Sequence, residues 1–148
     1  FSTFVDSLLE SKNKNIIEIN MRDNELDDDC IKNLGELIKK NKNMSYINLG
    51  YNDITDKGVE KLSEYIIGNV FIRSIILRGN DAITDVSSEV IKHMIKSSSI
   101  LSIILPDEKI NKQNMDEIKE LLKIPIEERE IPLITFQDVK SASKIIKE

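Results

Sequence analysis

The chain has 148 residues, 26 acidic against 21 basic, with one His, one Cys and no Trp. That length suits one domain large enough to bury a real core. A net charge of −5 argues against general nucleic-acid binding and against an anionic membrane surface. One Cys excludes an internal disulfide framework and a Cys-based zinc cluster, and one His removes most His-rich metal sites. Within these totals, 26 Ile stand against 13 Leu, and 17 Lys against 4 Arg. No stretch approaches the ~20 apolar residues that span a bilayer. The start, Phe1 to Asp6, lacks the basic region and apolar run of a signal peptide and has no initiating Met, so it reads as a trimmed chain. Asn43-Met44-Ser45 matches the glycosylation pattern only weakly. Lysine richness and a lone thiol fit a reducing, cytoplasmic setting.

In chain order, residues 1–12 read as a helix with Phe1, Val5, Leu8 and Leu9 on one face. Four segments then align at a fixed step. They run Ile16-x-x-Ile19-x-Met21-x-x-Asn24-x-Leu26, then Met44-x-x-Ile47-x-Leu49-x-x-Asn52-x-Ile54. The third is Ile72-x-x-Ile75-x-Leu77-x-x-Asn80 with Ile83 after one inserted residue, and the fourth is Ile100-x-x-Ile103-x-Leu105-x-x-Glu108-x-Ile110. Ile19, Ile47, Ile75 and Ile103 are 28 residues apart each time.

Each segment precedes a three-and-four apolar spacing: Ile31, Leu34, Leu37, Ile38; Val59, Leu62, Tyr65, Ile66; Ile91, Met94, Ile95; Met115, Ile118, Leu121, Leu122. Acids gather where these helices begin (Asp27 to Asp29, Asp56, Asp85, Asp116) and lysines gather near the ends of most, as the helix dipole favours. Cys30, Gly58 and Ser87 supply small residues near the starts. Residues 124–148 leave the period. Two prolines, Pro125 and Pro132, flank a charged run, and Leu133 to Phe136 reads as a last strand before a short helix from about Gln137.

This repeat resembles the leucine-rich repeats, and its helical second half is similar to the ribonuclease-inhibitor-like subclass. The resemblance covers about residues 15–123. It implies an α/β fold: a leucine-rich-repeat solenoid of short, curved, right-handed β-α repeats, with a parallel sheet on the concave side and helices on the convex side. The expected organisation is one domain, 1–148. Residues 1–14 form an N-terminal capping helix or half-repeat. Four repeats follow at about 15–42, 43–70, 71–98 and 99–123, and 124–148 form a C-terminal cap. Asn24, Asn52 and Asn80 match the family's ladder asparagine, which satisfies backbone groups in a buried turn. Glu108 departs from that pattern, so the ladder is expected to end there. Ile for Leu at core positions conserves volume. In layout and length the chain also resembles the C-terminal domain of the tropomodulin family of actin-filament capping proteins.

No catalytic constellation emerges. Asp27-Asp28-Asp29 reads as solvated acids at a helix start rather than a metal site. His93 reads as a surface residue and Cys30 as a packed one. No cofactor and no metal is expected.

Chemistry is left to the concave face. With Ile19 and Met21 inward, alternation turns Asn20, Asn48, Ile76 and Ile104 outward in one row across the sheet. Arg22, Tyr46, Asn48, Tyr51, Ile76, Arg78 and Ile104 are therefore the candidate partner-binding set, since Tyr and Arg are common interface anchors. The competing reading has the C-terminal segment cover Ile104, or leaves Ile76 as a plain exposed residue.

The expected function is a non-catalytic protein–protein interaction module, a scaffold or recognition domain, monomeric, with another protein as partner and neither nucleic acid nor membrane. A bacterial effector acting in a host cytoplasm is one setting. The alternative is a cytoskeletal or GTPase regulator: tropomodulin-like actin capping, or Ran GTPase-activating-protein-like activity using Arg22 or Arg78.

Overall fold

Strands of three residues alternate with helices of nine to twelve in the computed structural model, which describes residues 2–11 and 14–132. Helix α1 is Ser2–Glu10. It is followed by β1 Glu18–Asn20, α2 Cys30–Lys40, β2 Tyr46–Asn48, α3 Asp56–Ile66, β3 Ser74–Ile76, α4 Ser88–Lys96, β4 Ser102–Ile104 and α5 Lys112–Lys123. Short 3-10 turns, Asp85–Ser87 and Ile126–Glu128, precede α4 and follow α5.

The four strands form one parallel sheet in chain order. The register follows the repeat, with Ile19 opposite Ile47, Ile47 opposite Ile75 and Ile75 opposite Ile103. Parallel neighbours need a crossover, and each repeat's helix supplies it. This is an α/β leucine-rich-repeat solenoid, with the sheet as one layer and the helices as the other.

The core lies between the layers. Ile47, Ile75, Leu62, Ile66, Ile91, Met94 and Ile95 are all fully buried. Ile19 is nearly so, and Ile103, on the last strand, is half-buried. β-branched Ile suits the pleated strand, so the excess of Ile over Leu is compatible with dense packing.

Two side-chain ladders tie the repeats together. In the first, Asn52 donates from Nδ2 to the carbonyls of Met21, Leu49 and Gly50 at 3.0, 2.9 and 3.2 Å, and its Oδ1 accepts from the amides of Asn24 and Leu26. Asn80 donates to the carbonyls of Leu49 and Leu77 and accepts from the Ile54 amide. Asn24 departs from the expectation: it is exposed, and its Nδ2 reaches only the Arg22 carbonyl in its own turn. The reason is positional, because an asparagine here bonds back into the preceding repeat and among the described residues no strand precedes β1.

The second ladder runs through aspartates that sequence reading treats as helix-start acids favoured by the dipole, Asp28 among them as a solvated one. Asp28 accepts from the Thr55 amide and hydroxyl at 2.9 and 2.6 Å. Asp56 accepts from the Thr84 amide and hydroxyl at 2.8 and 2.7 Å and from Ser87 Oγ. Asp85 accepts from Asn111 and Asn114. Thr55 and Asn111 cap α3 and α5, and Thr84 caps the 3-10 turn before α4. Each repeat's acid thus holds the next repeat's cap.

At the C-terminal end, Arg129 donates to the carbonyls of Ile95, Ser98, Ile100, Leu122 and Ile124. It pins the segment after α5 against the last repeat. The expected strand Leu133 to Phe136 and the helix from Gln137 lie outside the described residues.

Candidate functional site

Three rows of residues cross the sheet face, set by the strand register. Asn20, Asn48, Ile76 and Ile104 form the first. Arg22, Gly50, Arg78 and Pro106 form the second, two residues further along each strand. Asp23, Tyr51, Gly79 and Asp107 form the third, at the rim where the chain leaves the sheet.

The first row separates into two halves. Asn20 Oδ1 accepts from the Arg22 amide at 3.1 Å, and Asn48 Oδ1 accepts from the Gly50 amide at 3.0 Å. Asn48 is 7% exposed, which corrects its place among the outward partner contacts: the side chain folds onto its own turn. Ile76 is half-buried, whereas Ile104 is 42% exposed on β4, the last strand of the sheet among the described residues. Tyr46 is half-buried at the opposite end of β2 and stands apart from the rim rows.

The rim turn demands positive φ. Asp23, Tyr51 and Gly79, each 28 residues from the next, have φ of 59, 57 and 78°. Gly and Asp tolerate that region; a tyrosine there is uncommon and strained. The Tyr51 ring is held from both sides. Arg22 Cζ lies 4.4 Å from its centroid, and a Cβ on Gly79 would come within 2.6 Å of it. Only glycine lets the ring lie that close. Tyr51 remains 43% exposed. Arg78, also exposed, lines a cavity of about 230 Å³ with Tyr51, Gly79, Pro106, Asp107, Glu108, Asp81 and Lys109.

The structure thus brings Arg22, Tyr51, Arg78 and Ile76 together, with Ile104 next along the row. The chemistry on offer is aromatic, cationic and aliphatic contact. Sequence reading missed how closely Gly79 adjoins the Tyr51 ring; the signal was a glycine one repeat beyond a tyrosine at the same turn position.

Away from the rim, Cys30 is half-buried, and burial, helped by the Asp27 carboxylate and opposed by a backbone hydrogen bond from Asp27, holds its thiol above the ordinary range. Lys92 is buried between α4 and α5. Glu117, then Glu89, bond its ammonium and hold its pKa up, and Asn114 takes a further hydrogen bond. Among the described residues no group of three His, Cys, Asp or Glu is placed to hold a metal ion, and no helix is long and apolar enough to cross a membrane.

The comparisons agree with the architecture. A family model described as "Leucine Rich repeat" matches residues 40–63, which hold β2, its turn and most of α3. Among solved structures, the C-terminal domain of tropomodulin from Caenorhabditis elegans is similar, at 11% identity and a TM-score of 0.52 over 99% of each chain. At that identity the likeness concerns the fold. No curated protein sequence matches the chain.

Proposed function

We propose that this chain is a non-catalytic protein-interaction module, a leucine-rich-repeat scaffold or recognition domain that binds another protein through the rim of its sheet face. The observation that carries this reading is Tyr51. The turn geometry suits glycine or aspartate, yet it presents a strained, half-exposed aromatic ring supported by Arg22 and Gly79. Arg78, Ile76 and Ile104 extend the patch, and Tyr46 lies at its margin. The 28-residue step with a helix in every repeat supports the ribonuclease-inhibitor-like subclass. In this reading α1 caps the N-terminal end, the Arg129 segment begins the C-terminal cap, and the module works as a monomer in the cytoplasm.

The test is the double variant Ile76→Asp with Tyr51→Ala, compared with the unaltered chain for capture of its partner. Loss of capture with the fold retained is the expected result; unchanged capture overturns the reading. The second reading, a cytoskeletal or GTPase regulator, draws on two exposed arginines at the rim. Slowed pointed-end growth of actin filaments or stimulated GTP hydrolysis would separate it from plain recognition.

A further inference from the structure

The chain after α5 retraces the stack of repeats along the helix ends. Helix α5 ends at Lys123. Further on, Arg129 donates to the carbonyls of Ile95 and Ser98, at the end of α4 and in the turn that follows it. The Pro132 carbonyl then lies 3.8 Å from where a Cβ on Gly68 would be, just past the end of α3. Gly68 is itself joined to the α4 end, its amide donating to the Ser97 carbonyl at 2.7 Å. The first of these steps is longer because it holds the 3-10 turn Ile126–Glu128. The second, Arg129 to Pro132, spans roughly 10 Å in extended chain, which is one spacing between packed helices.

Beyond Gly68 the next helix end is that of α2, and between the two lies a cavity of about 150 Å³. Tyr65, Ile67, Val70 and Phe71 line it from α3 and the turn after it, and Ile38 and Lys42 line it from the end of α2. Ile38 is fully buried, Tyr65, Ile67 and Val70 are half-buried, and Phe71 is 36% exposed. An apolar cavity of that size holds an aromatic ring. The sequence that leaves Pro132 is Leu133-Ile134-Thr135-Phe136, then Gln137 and Asp138; it belongs to 133–148, outside the described residues.

We propose that Leu133 to Phe136 continue as a strap across the ends of α3 and α2, with Ile134 and Phe136 seated in this cavity. Alternate side chains of an extended segment share a face, so these two apolar residues meet the groove together and Thr135 faces water. One more helix spacing takes about three residues, which the segment supplies. Asp138 then arrives on the side of Lys42, opposite in charge. The direction of travel leads away from β4, so covering Ile104 would require the chain to reverse. The strap rests on the reading that Arg129 begins a C-terminal cap, and it gives that cap a route and a seat. It also leaves Ile104 and the rim open to a partner.

The experiment has two arms on the full chain, with circular dichroism confirming the fold of each variant. In a Cys30→Ser background, Thr135→Cys is paired with Lys42→Cys or with Ile104→Cys, and each pair is treated with a short bismaleimide. The expected result is an intramolecular crosslink to position 42 that forms more than about tenfold faster than the one to position 104. The second arm follows amide hydrogen exchange in the Ile134→Asp, Phe136→Asp double variant. The amides of Ile67, Gly68, Asn69, Phe71 and Ile72, all hydrogen-bonded at this groove, are expected to exchange about tenfold faster than in the unaltered chain, with β4 unchanged. A crosslink to 104 as fast as that to 42, or faster exchange at β4 instead, overturns the strap and leaves the cap. A covalent dimer assigns the groove to a second copy and overturns the strap. No crosslink from either pair, or exchange unaltered by the double variant, overturns the strap and the cap together.

Discussion

Asn80 shows what one polar side chain does inside this fold. It is fully buried and meets two carbonyls and one amide belonging to two repeats. Asn80→Ala strands those groups away from water, at roughly 1–3 kcal/mol each, so a loss of about 3 kcal/mol in urea unfolding is expected. Asn24→Ala, at an exposed ladder position, is expected to cost less than about 1 kcal/mol. The contrast was only half legible. The spacing of three asparagines gives the repeat, but burial depends on having a strand before it, which sequence similarity among repeats does not show. Asn48 teaches the same lesson from the other side. Alternation places it outward, yet its amide folds onto the Gly50 amide because a short polar side chain competes for nearby backbone.

Gly79 lies on the boundary between stability and function. A methyl group there meets both an unfavourable backbone region, φ 78°, and the Tyr51 ring. Gly79→Ala is expected to lower stability by about 1–2 kcal/mol and to displace the ring, with a change in tyrosine fluorescence anisotropy as the local readout. Unchanged stability and fluorescence would show that the ring does not lie on this glycine.

At the scale of elements, the helix layer is fastened by acids acting across repeats. Asp56 is pushed up by partial burial, but the hydrogen bonds from Ser87 and Thr84 outweigh this and hold its carboxyl below the ordinary value. The amide and hydroxyl groups of Asn114, Asn111 and Ser88 do the same for Asp85. A carboxylate with a lowered folded-state pKa contributes stability that is complete above its unfolded pKa, about 3.9, and is lost as pH falls through the lower folded value. The melting temperature should therefore hold through the neutral range and fall below about pH 4. Asp56→Asn should lower it at neutral pH and flatten the acid limb. An acid limb unchanged by Asp56→Asn would remove Asp56 from the ladder's contribution.

These acids were visible in the sequence as helix-start residues, and the helices they precede were equally visible from three-and-four spacing. Their partners were not, because Thr55, Thr84 and Asn111 belong to the following repeat and only the stacked fold brings them within reach. Arg129 was hidden for a similar reason: it lies in the segment that leaves the period, and its carbonyl targets carry no side-chain signature. Arg129→Ala should speed amide hydrogen exchange at the Ile100 to Ser102 edge while leaving β1 and β2 unchanged.

At the scale of the whole molecule, the described residues form a sheet of four strands, about 14 Å across. Any partner held by that face alone meets a small patch, so a few anchors must carry the binding. The outward row passes from asparagine to isoleucine toward the C-terminal end, and the rim adds Tyr51 between Arg22 and Gly79. The rows are readable in the repeat itself, since a strict step converts spacing into register. Which members of the rows stay free is set by local hydrogen bonding and by positive φ, neither of which the repeat pattern reports.

The most direct test of the interaction face places a photo-crosslinking p-benzoylphenylalanine in turn at Tyr51 and at Lys119, an exposed residue of α5, and irradiates each protein with its natural extract. The account predicts a discrete crosslinked partner from position 51, abolished by Ile76→Asp in the same chain, and none from position 119. The same adduct from position 119 alone, or from both positions equally, would contradict it.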